Sequence, residues 1–296
     1  MARVLVTGAT GFIGSHVTRA LVAAGREVHA LVRPQANLRR IEDVVPSLHL
    51  IRGDLLGPSL VTLPSSLDLC AHLAWYVEPG QYLESPQNNQ WVEASLRLAR
   101  AAKQAGCRRF VAAGTCFEYA PSDQPLSETS PTAPRTAYGW AKLELFDALQ
   151  SLDMQVAWLR FFYQYGPFED ERRLVPTVVN GLLRGQRVPL TPGDQVRDYL
   201  HVEDVASAVV AVATSQLAGA VNIGSGRPVT VREIALRIGE LIGRPDLLGF
   251  GLRQYGPSEP VHIVANNAKL RGTGWSPRLD LDSGLRQTIE WWRRHL

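Results

Sequence analysis

Tyr138 and Lys142 stand four residues apart in Ala137–Leu149, a stretch with helical periodicity, so a helix puts both side chains on one face. A tyrosine hydroxyl titrates at about 10 when unperturbed. An ammonium beside it stabilises the phenolate and makes the hydroxyl a workable acid or base at neutral pH. Thr115 follows the apolar run Phe110–Ala113. If that run is a strand of a parallel sheet, Thr115 lies at its carboxyl end, where such sheets open their ligand crevice. Its hydroxyl can hold a carbonyl oxygen there while Tyr138 gives or takes a proton. A tyrosine and a lysine at this spacing are also common as a solvated helix pair, so the surrounding elements decide.

The element that decides most is the amino-terminal one. Val4–Val6 runs straight into Gly8, Gly11 and Gly14, and then into a helical pattern carried by Val17, Leu21 and Val22, with Gly25 as its stop. Gly8 permits a tight turn, Gly11 a close approach of backbone to phosphate, and Gly14 close packing of helix on strand. The helix amino terminus then offers unpaired N–H groups to a pyrophosphate. Thr10, Phe12 and Ile13 lie between and beside these glycines.

Further short apolar runs follow at Val28–Val32, Leu48–Ile51, Leu69–Leu73, Phe110–Ala113 and Val156–Leu159, with helical patterns at Val17–Ala24, Trp91–Ala105 and Ala137–Leu149. Alternation of buried strands with helices implies an α/β protein built on a doubly wound parallel sheet. After Gly166-Pro167 the texture changes, with Pro176, Pro189, Pro192, Pro228, Pro245, Pro257, Pro260 and Pro277 punctuating short elements. Residues 1–165 read as the dinucleotide-binding domain. Residues 198–224 return to it through a helix at Val205–Ala213 and a strand at Gly219–Ile223. Residues 166–197 and 225–296 read as a smaller mixed α/β substrate lobe, ending on the helix Leu285–Arg293.

A net charge of +3 over 296 residues is too small to argue for nucleic acid. No apolar run reaches the length of a membrane span, and the glycine-interrupted amino terminus is a core strand rather than a signal peptide. The cysteines Cys70, Cys107 and Cys116 have no metal spacing and suit buried thiols in a reducing cytoplasm.

Taken together, Gly8-x-x-Gly11-x-x-Gly14, Asp54, His72-Leu73-Ala74, Thr115-x-x-x-Tyr119 and Tyr138-x-x-x-Lys142 resemble the extended short-chain dehydrogenase/reductase family. Tyr165-Gly166-Pro167, Arg197-Asp198-Tyr199-x-x-Val202-x-Asp204-Val205-Ala206, Asn222-Ile223-Gly224-Ser225-Gly226 and Gly274-Trp275-Ser276-Pro277 resemble its nucleotide-sugar branch. The resemblance implies Thr115, Tyr138 and Lys142 as the catalytic triad, with Lys142 also on the nicotinamide ribose. It implies Asp54 and Leu55 flanking adenine, Leu73, Ala74 and Phe162 near the cofactor, and Arg197 on the substrate phosphates. It also implies a homodimer through Trp91–Ala105 and Ala137–Leu149.

Several departures shape the expected activity. The strand Val28–Val32 ends on Arg33, where NAD enzymes of this fold carry an acidic residue for the ribose 2′-hydroxyl. A cation there favours NADP(H), with NAD(H) the alternative. The residues after Thr115 are Cys116 and Phe117, which replace the acid–base pair of the family's 4,6-dehydratases, so elimination chemistry is lost and simple hydride transfer remains. Cys116 reads as packing. Tyr163 replaces a substrate-touching asparagine, and Gly256 in Tyr255-Gly256-Pro257-Ser258-Glu259 replaces a second phosphate-binding arginine, for which Arg253 can substitute. Trp75 and Tyr76 fall at the crevice end of the fourth strand, where Trp75 lines the sugar pocket or packs in the core. Trp140, two residues from Tyr138, points away from the catalytic face and is expected to pack. The leading expectation is NADPH-dependent reduction of a nucleotide-linked 4-keto-deoxysugar. A nucleotide-sugar 4-epimerase with bound NAD, or a reductase of a non-sugar ketone, are the alternatives.

Overall fold

Alternating short apolar strands and amphipathic helices give a layered α/β structure. The computed structural model describes residues 2–58, 62–256 and 260–296. The strands are β1 (Arg3–Thr7), β2 (Glu27–Val32), β3 (Leu48–Arg52), β4 (Leu69–His72), β5 (Arg109–Thr115), β6 (Gln155–Phe161), β7 (Tyr163–Tyr165), β8 (Val188–Pro189), β9 (Val196–His201), β10 (Gly219–Ile223), β11 (Pro228–Thr230), β12 (Leu248–Gly249) and β13 (His262–Ile263). The α-helices are α1 (Phe12–Ala23), α2 (Gln87–Gln104), α3 (Ala137–Gln150), α4 (Leu174–Leu183), α5 (Val202–Thr214), α6 (Val231–Ile242), α7 (Ala268–Arg271) and α8 (Leu281–Arg293).

The large sheet has seven strands in the order β10-β6-β5-β4-β1-β2-β3, and its pairs run parallel. The chain leaves β1 toward β2 and β3, then crosses back to place β4 on the other side of β1. The strand order therefore reverses between β1 and β4, and the crevice opens at their carboxyl ends. Side chains alternate across the sheet. Val4, Val6, Val28 and Ala30 face one way and pack with Val205 and Val209 of α5. Leu5, Leu31, Phe110 and Trp158 face the other way, against Leu98 of α2 and Leu145 of α3. Both faces are covered, which is why these strands read as continuous apolar runs rather than as alternation.

A smaller sheet joins β11, β9 and β13, with β7 beside β9. Its core is formed with α4, α6 and α8 around Val178, Ile234, Leu285 and Trp292. The expected return to the large sheet at residue 198 takes effect only at α5. Residues 198–201 belong to β9 because Asp198 is tied into the small sheet's surroundings. Its carboxylate accepts the N–H groups of Ser225, Gly226 and Ala265. Helix α2 starts at Gln87, four residues ahead of the expected Trp91. The polar run Gln87–Gln90 hides that first turn, and buried Asn88 anchors it by donating to the carbonyls of Tyr82 and Ser85.

Candidate active site

The turn after β1 is shaped for close backbone contact. Gly8 has φ +74°, and a Cβ there would lie 2.7 Å from the Ala74 nitrogen. At Gly14 a Cβ would meet the Gly8 carbonyl oxygen at 2.0 Å. Gly14 therefore seats the start of α1 directly on the turn. Gly11 caps α1 without any side-chain hydrogen bond, so the first N–H groups of the helix are left for an anion. Thr10, Phe12 and Ile13 are half-buried around it. The Leu73–Ala74 backbone closes the other side. It is held there by Thr7, whose hydroxyl bonds His72 Nδ1 at 2.7 Å and the Ala74 N–H at 3.3 Å. His72 Nε2 meets Ser95 Oγ at 2.8 Å. Burial lowers the His72 pKa to about 3, so the ring serves as a neutral strut. A cradle that a single Cβ would fill, ending on an uncapped helix, fits a dinucleotide pyrophosphate.

Asp54 and Leu55, expected to flank adenine, follow β3. Asp54 is exposed, and its Oδ1 accepts the Leu56 N–H at 3.0 Å, which makes it the cap of a turn. Leu55 is 5% exposed and packs with Leu5 and Leu31 in the core, because its alternation after β3 points it inward. Arg33 stands exposed just beyond β2. The sequence reading missed Arg40, which lies beside the turn, with Nη1 3.4 Å from the Thr10 carbonyl and Nη2 3.0 Å from the Phe168 carbonyl. The basic Arg39-Arg40 pair was its only signal.

At the carboxyl end of β5, Thr115 caps a short turn over Cys116–Glu118. Its hydroxyl accepts the Phe117 N–H at 3.2 Å, and Glu118 Oε1 accepts the Thr115 N–H at 2.8 Å. The first turn of α3 rests on this turn. A Cβ at Gly139 would come within 2.6 Å of the Phe117 carbonyl, so glycine there sets the approach. Tyr138 is thereby placed beside Thr115. Lys142, one turn on, is 2% exposed. Its ammonium donates to the Ala113 carbonyl at 2.7 Å and sits 3.5 Å from the centre of the Trp75 ring.

That placement revises the expected chemistry of the pair. The ammonium lies 5.8 Å from the centre of the Tyr138 ring and is held by Trp75 and Ala113. Burial, the largest cause, pushes the Tyr138 phenol well above its ordinary range, and the neighbouring Tyr82 adds to it. Burial also lowers the Lys142 pKa to about 7. The phenol is thus kept protonated, as a proton donor must be.

Trp75 is brought into the site, with Nε1 donating to Asn88 Oδ1 at 2.9 Å and its ring 6.4 Å from that of Tyr138. Tyr82, absent from the sequence reading, meets Tyr138 edge-on with ring centres 5.0 Å apart. No motif marks it. Phe117 is half-buried, and the Cys116 thiol is buried beneath the site and pushed up to about 12 by desolvation, which makes it an inert packing group. Phe162 packs against Tyr119 in the same cluster. Tyr163 is half-buried under the Arg197 guanidinium, 5.2 Å from its ring centre.

Arg197 is buried and donates to the Val196 carbonyl at 3.0 Å and the Val261 carbonyl at 3.4 Å. The Asp198 carboxylate points elsewhere, to Ser225, Gly226 and Ala265. Arg253 is exposed, and its contact with Leu190 is through its backbone N–H, so the structure does not bring its side chain to Arg197. Residues 257–259 of the Tyr255–Glu259 motif lie outside the described residues. Trp140 is 58% exposed rather than packed, because the core-facing side of α3 is filled by Tyr138, Lys142 and Leu145.

A doubly wound sheet with a glycine cradle at its switch point, and a Thr-Tyr-Lys cluster beside it, defines an enzyme of the short-chain dehydrogenase/reductase type that uses a nicotinamide dinucleotide. Residues 4–224 match the model of the NAD dependent epimerase/dehydratase family, and the chain belongs to that family. It is 32% identical to a UDP-glucose 4-epimerase of Azospirillum brasilense over 98% of this chain and 92% of that protein. Among solved structures, it is similar to a UDP-N-acetylglucosamine 4-epimerase from Methanobrevibacter ruminantium M1 in complex with UDP-N-acetylmuramic acid, with a TM-score of 0.90 and 25% identity over 100% of this chain and 99% of that one. It is also similar to MoeE5 in complex with UDP-glucuronic acid and NAD, with a TM-score of 0.84 and 33% identity over the whole of both chains (100% each).

Proposed function

We propose that the protein is an NADPH-dependent ketoreductase acting on a nucleotide-diphosphate-linked 4-keto-deoxysugar. The observation that carries this reading is the Tyr138 phenol placed beside Thr115, with Lys142 one turn on, and buried among aromatic rings. Bound at the glycine cradle, the reduced nicotinamide supplies a hydride to the keto carbon. Tyr138 protonates the forming alkoxide, and Thr115 holds the same oxygen in place. Lys142 stabilises the phenolate left behind. Arg197 takes a phosphate of the diphosphate. The buried Cys116 and the aromatic Phe117 give no acid–base pair for elimination, which leaves hydride transfer as the chemistry.

Arg33, standing where NAD enzymes of this fold carry an acidic residue, and Arg40 beside the turn support the phosphorylated cofactor. Comparing the Michaelis constants for NADPH and NADH tests this, and a clear NADH preference overturns it. The activity test is oxidation of NADPH with a panel of nucleotide-linked keto-sugars. Tyr138→Phe should cut turnover by about 10²–10⁴-fold while NADPH still binds. Near-normal turnover in that variant rejects the assignment.

A second reading is a nucleotide-sugar 4-epimerase that oxidises and re-reduces one carbon. Its support is the full-length similarity to a UDP-glucose 4-epimerase and the NAD held by a structural neighbour. Against it stands the crowding of Tyr138 by Tyr82 and Trp75, because an epimerase must turn its keto sugar over between hydride transfers. Stoichiometric oxidised cofactor in the purified protein, with interconversion of UDP-glucose and UDP-galactose, would favour the epimerase.

We also propose a cytoplasmic homodimer formed through α2 and α3. The exposed Trp140 on α3 and the free buried cysteines support this. Among the described residues, no helix is long and apolar enough to cross a membrane.

A further inference from the structure

Arg173 precedes α4 as its cap residue and is half-buried. Its guanidinium centre lies over the Tyr82 ring, 5.3 Å from the ring centre. Tyr82 in turn sits edge-on to Tyr138 at 5.0 Å and lies within electrostatic reach of Tyr163. The guanidinium therefore stands at the same pocket as the Thr115–Tyr138 pair, on the side that the small lobe provides.

What sets Arg173 apart is its lack of a counter-ion. Among the described residues no carboxylate comes within ion-pair distance of it. The neighbouring Arg172 captures both Asp170, at 2.7 Å, and Glu78, at 2.6 Å. Glu169 is the nearest acid of its own segment, but it is 8% exposed and its Oε2 has no hydrogen-bond partner. Burial raises the Glu169 carboxyl well above the usual range, and the pull of Arg173 is the smaller effect. A fixed, partly desolvated guanidinium without an ion pair among the described residues carries a free-energy penalty that an incoming anion relieves. The planar fork also suits an oxyanion.

We propose that Arg173, set over the Tyr82 ring, is an anion subsite of the substrate pocket and takes an oxyanion of the nucleotide sugar. This rests on the nucleotide-sugar reading above. Two groups share the required chemistry: a phosphate oxygen of the diphosphate and a carboxylate on the sugar ring.

The test is calorimetric titration of wild type, Arg173→Gln, Arg173→Lys and Tyr82→Phe with UDP, dTDP, UDP-glucose, dTDP-glucose and UDP-glucuronate. NADPH is titrated into each protein as the folding control. Arg173→Gln should weaken anion binding by about 10–100-fold, the span of a charged hydrogen bond. NADPH affinity should stay within about twofold, and Arg173→Lys should recover part of the loss, because it restores the charge without the fork. Equal loss across all the ligands identifies the diphosphate as the bound anion. Loss confined to UDP-glucuronate identifies the sugar carboxylate. Wild-type binding that Arg173→Gln leaves within about twofold for every ligand overturns the subsite while the nucleotide-sugar reading stands. Wild type that binds none of the ligands overturns both.

Discussion

Replacing Glu118 by glutamine separates a scaffold role from a chemical one. Glu118 follows Thr115 by three residues and is an acid beside the candidate triad, so a role in proton transfer is the obvious alternative. The structure argues otherwise. Its carboxylate is fully buried and receives the Arg160 Nε–H at 2.7 Å, the Trp158 Nε1–H at 2.9 Å and the Thr115 N–H at 2.8 Å. Each of these partners is a donor, so a proton on Glu118 would find no acceptor. Desolvation raises its carboxyl, and the charge of Arg160, itself 3% exposed, pulls it back toward the ionised form. Glutamine keeps the shape but leaves the guanidinium buried without its charge partner. Breaking one side of a buried ion pair costs about 3–5 kcal/mol, which for a chain of this size lowers Tm by roughly 5–8 °C. Thermal denaturation followed by circular dichroism reads this directly. Turnover measured well below the transition should fall only as far as Thr115 is displaced, within about tenfold of wild type. A variant with unchanged Tm and abolished turnover would refute the scaffold argument and make Glu118 a participant in the chemistry.

Acid should destabilise the protein through three buried neutral histidines. Burial lowers His16 to about 4 and both His72 and His201 to about 3. Unfolded histidine binds its proton near about 6.5, so between there and pH 4 the unfolded chain holds more protons and stability falls as pH drops, by up to about 1.4 kcal/mol per unit per histidine. Urea midpoints at pH 7.5, 6 and 5 measure this, and a flat series contradicts it. Gly14→Ala should abolish cofactor binding and lower Tm, since its Cβ would meet the Gly8 carbonyl at 2.0 Å; retained NADPH affinity rejects the cradle. Trp140→Glu should shift the protein from dimer to monomer in light scattering, and an unchanged mass rejects α3 as the interface.

The seven-strand sheet was legible because both of its faces are covered. Apolar runs such as Val28–Val32 then need no alternation, and glycines mark where the first strand ends. Tyr138, Lys142 and Thr115 were legible through spacing. What escaped the sequence shares one physical cause: these residues are defined by partners far along the chain. Tyr82 reaches Tyr138 from 56 positions earlier in the chain, and it carries no local pattern. Arg173 matters because Arg172, not Arg173, takes Asp170 and Glu78. Asp54 was assigned from its place after a strand, yet a local turn claims its carboxylate. Local propensity sees the i, i+2 bond of Asp54 and the i, i+4 pair of Tyr138, but it cannot rank them by function.

The Tyr138–Lys142 pair shows why spacing alone under-describes the chemistry. Four residues put both groups on one face, but the environment sets their protonation. Desolvation pushes Tyr138 up and lowers Lys142 to about 7, so neither charge is present without cost. With the ammonium 5.8 Å from the tyrosine ring, a phenolate and the charged lysine attract each other by about 3 kcal/mol at an effective dielectric of about 20, equivalent to about two pKa units. Each charge therefore makes the other easier to hold. Before proton transfer the phenol keeps its proton, and afterwards the lysine holds the phenolate. The same burial that keeps Tyr138 protonated before the transfer makes the phenolate left behind costly, so proton donation to an alkoxide depends on the lysine charge that offsets this cost.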